Sequence, residues 1–92
     1  MNDRFKDIPR DEGIKTLFSS PMKWGALDIV YEKWNWDGIA AESIIFLNED
    51  VKGLDDEALE ADVRNGPLVQ KDSQVTVKRL EKYTFVNFNF KT

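Results

Sequence analysis

The pair Asp37-Gly38 lies between two segments of β-forming residues, and it constrains the fold more than any other feature of the chain. Asp-Gly favours a two-residue turn with both residues at positive φ, the turn that joins adjacent antiparallel strands. Residues 26–36 before it and 39–47 after it are rich in β-branched and aromatic side chains. The sequence therefore predicts a β-hairpin over residues 26–47.

Two helices are predicted outside this hairpin. The better marked one spans residues 56–65, because Asp55 is a good N-cap and Gly66-Pro67 is a typical helix end. The other spans residues 9–19, where a proline suits the first helical turn and three apolar residues fall on one stripe. These residues are Pro9, Ile14, Leu17 and Phe18.

A second pair of strands is predicted near the C-terminus, over residues 74–80 and 83–90, where apolar and polar side chains alternate. The expected fold class is α+β, with the element order α-β-β-α-β-β. Adjacent strands in sequence favour a two-layer sandwich with a mostly antiparallel sheet of about four strands and two short helices on one face. Residues 1–92 are expected to form one domain, with residues 1–8 as a flexible N-terminal arm.

The chain contains no cysteine and no histidine, and this absence narrows its chemistry. Disulfides, thiolate catalysis, the commonest metal ligands and the usual general base near neutral pH are excluded together. A calcium loop beginning at Asn48 is also excluded, since Lys52 and Leu59 would occupy positions that need oxygen ligands. We therefore expect no enzymatic activity, no cofactor and no metal site.

The net charge of −4 is unevenly distributed along the chain. Residues 42–62 contain eight acidic side chains and one basic one, whereas residues 63–92 contain six basic and two acidic ones. A dense acidic surface repels nucleic-acid phosphates and attracts basic proteins. We therefore expect no nucleic-acid partner and predict an acidic docking surface that comprises Glu49, Asp50, Asp55, Asp56, Glu57 and Glu60.

No apolar segment approaches the roughly 20 residues that span a bilayer. The first residues, MNDRFKDIPRDEG, lack the apolar core of a signal peptide. A cytoplasmic protein without a membrane partner is expected.

Trp34 and Trp36 share one face of their predicted strand with Glu32, because side chains alternate along a strand. A buried carboxylate without a partner is costly, so this face is expected to be the one that no helix covers. The alternative that both indoles are mainly packing residues stays open. With four residues from the last strand, the predicted contact surface consists of Glu32, Trp34, Trp36, Tyr83, Phe85, Asn87 and Asn89.

Large aromatic side chains with polar neighbours are typical of contact surfaces. The sequence therefore predicts a non-enzymatic interaction module of the inhibitor, immunity or adaptor type. Its partner would be another protein, for example a basic one, or a second copy in a homodimer. The alternative is a small-ligand binding module that stacks a sugar or a planar metabolite on the same aromatic residues.

Overall fold

One sheet of five antiparallel strands organises the computed structural model, which describes residues 4–92. In chain order the elements are β1 (Lys15–Trp24), β2 (Leu27–Trp36), β3 (Ile39–Leu47), α1 (Asn48–Val51), α2 (Asp56–Arg64), β4 (Thr76–Arg79) and β5 (Tyr83–Lys91). The strands lie side by side in the order β1-β2-β3-β5-β4. The molecule is thus a small α+β domain, as expected, with one strand more than predicted.

The predicted hairpin is confirmed. Strands β2 and β3 pair antiparallel, with Trp36 opposite Ile39 at the turn. Asp37 and Gly38 have φ angles of 50° and 80°. Positive φ at both turn positions gives the local twist that matches two antiparallel strands.

The helix predicted over residues 9–19 is wrong, because residues 15–19 belong to β1 and residues 9–14 form no helix. Gly13 has a φ of 89°, a left-handed conformation that cannot continue a right-handed helix. The backbone N–H of Ile14 donates to Asp11 and closes a turn instead. Pro21 is tolerated inside β1 because β1 is an edge strand. The predicted order α-β-β-α-β-β is corrected to β-β-β-α-α-β-β.

Helix α2 begins where the sequence predicted. The carboxylate of Asp55 accepts a hydrogen bond of 2.8 Å from the backbone N–H of Ala58, which satisfies one of the unpaired donors at the helix start. Leu59 and Val63 are buried on the side that faces the sheet. Within residues 4–92, no helix combines the length and apolar character that crossing a membrane requires.

Both helices lie on one face of the sheet and cover the larger core there. Burial raises the pKa of Tyr31 on this face, and its hydroxyl donates to Glu42. The buried residues that form this core are Ile29, Tyr31, Ile44, Phe46, Val51, Leu59, Val63, Val75, Val86 and Phe88.

Residues 4–14, rather than a helix, lie over the opposite face of the sheet. Phe5 and Ile8 pack on a smaller buried cluster, and the hydroxyl of Tyr83 donates to the carbonyl oxygen of Lys6 at 2.5 Å. Of the predicted flexible arm, residues 1–3 lie outside the described residues, and residues 4–8 make these contacts. The buried cluster consists of Val30, Ile45, Leu47 and Tyr83.

Candidate functional site

A pocket of about 390 Å³ opens on the sheet face that the helices leave uncovered. Strands β2, β3 and β5 provide its floor. The segment before β1, strand β4 and the β4–β5 connection provide its walls. The floor residues are Glu32, Trp34, Ser43, Phe85 and Asn87. The wall residues are Pro9, Arg10, Asp11, Ile14, Lys78, Leu80 and Glu81.

A row of polar side chains crosses all five strands through the floor of this pocket. Each member lies directly opposite the next in the strand pairing, so that every strand contributes one residue. Directly opposite residues on antiparallel strands have their side chains on the same face. In spatial order, this polar row consists of Ser19, Glu32, Ser43, Asn87 and Thr76.

Hydrogen bonds connect the central members of the polar row with the pocket's indole. The Nε1–H of Trp34 donates to Oγ of Ser43 at 2.6 Å, and this hydroxyl donates to Oδ1 of Asn87 at 2.5 Å. The side-chain amide of Asn87 donates in turn to Oγ1 of Thr76 over 3.4 Å, which is long for such a bond. These hydrogen bonds therefore fix the orientations of the Trp34 and Asn87 side chains.

Glu32 is 1% exposed and is held by two neighbours. The guanidinium of Arg10 donates to its Oε2, and the hydroxyl of Ser19 donates to the same oxygen at 3.0 Å. The guanidinium also donates to the carbonyl oxygen of Ile8 at 3.1 Å. A buried carboxylate requires this compensation, so the pair fixes the segment before β1 against the sheet and forms one wall of the pocket.

A second ion pair lies at the rim of the pocket, where Nζ of Lys78 contacts Oδ2 of Asp11 at 2.7 Å. Both side chains are exposed, so the pair adds little to stability. It does link β4 to the segment before β1 across the pocket mouth. Glu81, the remaining charged residue of the lining, is exposed to solvent.

The pocket brings together four of the seven residues predicted for the contact surface, namely Glu32, Trp34, Phe85 and Asn87. Tyr83 lies on the same face but is buried, with its hydroxyl bonded to the backbone of the N-terminal segment. Trp36 is 45% exposed and lies outside the pocket lining, with its indole beside Gly13. The indoles thus differ, since Trp34 is a floor residue and Trp36 a surface residue.

Asn89 does not join this surface, because the strand alternation breaks there. Its φ is 57°, and the pairing of β5 with β3 shifts register nearby. Its side-chain amide donates to Oε2 of Glu42 and to the carbonyl oxygen of Leu68, both at 2.9 Å, on the helix-covered face. Phe90 takes the expected place instead, edge-on to Trp34 with ring centroids 6.3 Å apart.

The predicted acidic docking surface is largely compensated within the chain. Four of its six acids pair with arginines at distances from 2.5 to 3.1 Å, and Asp55 caps α2. Glu57 is exposed. The pairs are Arg4 with Glu49 and Asp50, Arg79 with Asp56, and Arg64 with Glu60.

The sequence did not predict the pocket wall formed by residues 9–14, because residues 9–19 were assigned to a helix. One signal could have indicated Arg10: Glu32 lies on an aromatic strand face, and a carboxylate buried there needs a cationic partner. No comparable signal marks Ser43, a small polar residue among apolar ones.

The chemistry of the pocket depends on its side chains. Within residues 4–92, no group of three or more acidic residues is arranged to hold a metal ion. All buried side-chain nitrogen and oxygen atoms of the described residues have a hydrogen-bond partner.

No protein-family model, no curated protein and no solved structure matches this chain.

Proposed function

We propose that this protein binds a small organic ligand in the pocket on its helix-free face. The observation that carries this proposal is the combination of volume and lining: about 390 Å³, with Trp34 and Phe85 beside Ser43 and Asn87. Small-molecule sites typically measure roughly 300–1,000 Å³ and combine aromatic walls with a few convergent polar groups. The pocket has both properties.

The pocket is also organised in advance. The indole of Trp34 is held by its bond to Ser43, and the wall around Arg10 is held by the buried pair with Glu32. Side chains that are already ordered lose less entropy when a ligand binds. Because Glu32 is occupied by Arg10 and Ser19, we propose binding without catalysis.

Loss of the indole should weaken ligand binding. A fragment library screened by saturation-transfer NMR should yield ligands. In ¹H–¹⁵N spectra of the labelled protein, these ligands should shift the backbone amide signals of Trp34, Phe85 and Asn87. For such a ligand, Trp34→Ala should raise the Kd by about tenfold or more, because a stacked ring contributes on the order of 1–3 kcal/mol. Phe85→Leu, a milder change, should raise the Kd about threefold by the same loss of aromatic contact.

Trp36→Ala is the matched control, because it removes an indole from the same strand outside the pocket lining. Its Kd should stay within about twofold of the wild-type value, as a side chain without ligand contact affects binding little. A screen without hits, or hits that shift only residues remote from the pocket, would overturn the proposal.

Association with a second copy of the chain is a second proposal, favoured by the exposure of β1. Leu17, Phe18 and Met22 are 59%, 50% and 41% exposed on this strand. An edge strand carries unpaired backbone N–H and C=O groups and offers them to another strand. The broader prediction, a protein partner for the acidic residues, has less support because most of their charge is paired within the chain.

Self-association through β1 should respond to charge on that strand. Sedimentation velocity should show a dimer, and Leu17→Lys combined with Met22→Lys should weaken it by about tenfold or more, since like charges meet at the interface. Ala58→Lys with Ala61→Lys adds the same charge on exposed positions of α2 and should leave the dimer intact. A wild-type protein that stays monomeric at high concentration would exclude this assembly.

A further inference from the structure

We propose that the pocket selects an uncharged planar ligand that presents a hydrogen-bond acceptor to the side-chain amide of Asn87, as an aromatic amide does. This inference rests on the proposed function and narrows it from any small organic ligand to one chemical class.

The charges around the pocket compensate one another. Arg10 pairs with Glu32, and Lys78 pairs with Asp11. A charged ligand would have to lose its hydration water without gaining a free counter-ion inside the pocket, and this desolvation opposes binding. Glu81 lies exposed among the lining residues, where solvent screens its charge. The lining therefore favours a neutral molecule.

The floor offers a hydrogen-bond donor at Asn87. Its Oδ1 accepts a hydrogen bond from the hydroxyl of Ser43, and this bond also fixes the position of its NH₂ group. An amide NH₂ group has two N–H donors. Among the described residues, one of them donates to Oγ1 of Thr76 over 3.4 Å. The hydroxyl of Ser43 already donates to Asn87 and accepts from Trp34. A ligand with a carbonyl-type acceptor would use the second donor of Asn87.

The aromatic residues lie on both sides of the polar row. Trp34 follows Glu32 by two positions on β2, and Phe85 precedes Asn87 by two positions on β5. Strands β2 and β5 run parallel to each other, because each is antiparallel to β3. The two rings therefore lie on opposite sides of the polar row. The floor thus presents an aromatic ring on either side of a polar row. A flat ring system can contact an aromatic ring of the floor while its polar edge faces the polar row.

Matched probes separate the ligand classes. The neutral amide 2-naphthamide, the anion 2-naphthoate and the cation 2-naphthylmethylamine share one ring system, and methyl β-glucopyranoside represents a neutral sugar. In ¹⁵N-NMR titrations, 2-naphthamide should bind at least about tenfold more tightly than each of the other three, because only it is neutral, planar and an acceptor. The signals that shift should include those of Trp34, Phe85 and Asn87.

Asn87→Asp replaces the donor with an acceptor of nearly the same shape. The affinity for 2-naphthamide should fall about tenfold or more, as expected when a buried acceptor loses its donor, and that for 2-naphthylmethylamine should rise. Asn35→Asp makes the same change on β2 outside the pocket lining and should leave both affinities unchanged. Should Asn87→Asp fail to fold, Asn87→Ala should reduce the affinity for 2-naphthamide and gain nothing for the amine.

The outcomes distinguish this inference from the proposed function. Tighter binding of the naphthoate, the amine or the sugar at the pocket residues would overturn the ligand class and leave small-molecule binding in place. Amide binding that is indifferent to Asn87→Asp would overturn the assigned donor. If no probe binds while fragments still do, the class is wrong; if fragments fail as well, the proposed function falls with it.

Discussion

Replacing Arg10 with methionine should destabilise the protein by about 3 kcal/mol, because the substitution leaves the carboxylate of Glu32 buried without its positive partner. Glu32 is 1% exposed, and only the hydroxyl of Ser19 would still donate to it among the contacts described above. Breaking a buried pair from one side costs about 3–5 kcal/mol. The lower end is expected, since Arg10 is itself partly exposed and water can reach the vacated place. Urea unfolding at pH 7 measures the change.

Two further variants separate the charge from the other contacts of Arg10. Arg64→Met breaks an exposed pair with Glu60 and an exposed hydrogen bond to the carbonyl oxygen of Ser73, and it should cost only about 1 kcal/mol. Combining Arg10→Met with Glu32→Leu should restore about 2 kcal/mol, because no charge then remains buried. If the double variant is as unstable as Arg10→Met alone, the destabilisation comes instead from losing the hydrogen bond that Arg10 donates to the carbonyl oxygen of Ile8.

Arg10 therefore links the stability of the fold to the shape of the pocket. Its side chain contacts β2 through Glu32, β1 through Thr16 and its own segment through Ile8. Substitutions that release this side chain should loosen the wall formed by residues 9–14 before they affect the core beneath the helices. Stability measurements on the pocket variants are thus needed beside every binding measurement.

Elements with strong local signals were predictable from the sequence. The Asp37-Gly38 turn set the pairing of β2 with β3, and Asp55 marked the first turn of α2. In both cases the residues that determine the structure lie within a few positions of the element they define. The alternation on β2 also put Glu32 and Trp34 on one face, and both line the pocket.

Elements whose structure depends on distant contacts were not predictable in the same way. Residues 9–19 have helical periodicity, but the positive φ of Gly13 makes a turn there. The residues from Lys15 onwards then pair with the edge of β2 as a strand. The pairing of β3 with β5 joins segments separated by both helices and β4. Asn89 has a positive φ, which asparagine adopts more readily than most residues. As a result, Asn89 and Phe90 lie on the faces of the sheet opposite to those predicted.

Replacing both Phe5 and Ile8 with alanine should destabilise the protein by about 3 kcal/mol. Both side chains pack on the buried cluster of the helix-free face, and a fully buried side chain of this size contributes about 1.5–3 kcal/mol. Their partial exposure reduces that contribution, whereas the newly exposed Val30 and Tyr83 add to the loss. The change is measurable by urea unfolding, and faster amide exchange on β5 should accompany it.

Lys6→Ala provides the control, because its side chain is exposed while its carbonyl oxygen, which accepts from Tyr83, is retained. This variant should stay within about 0.5 kcal/mol of the wild type, as surface substitutions usually do. If Phe5→Ala with Ile8→Ala is equally harmless, residues 4–8 act as part of the flexible arm that the sequence predicted. If it is destabilising, ligand affinity should fall as well, because the segment that covers the cluster continues directly into the pocket wall at Arg10.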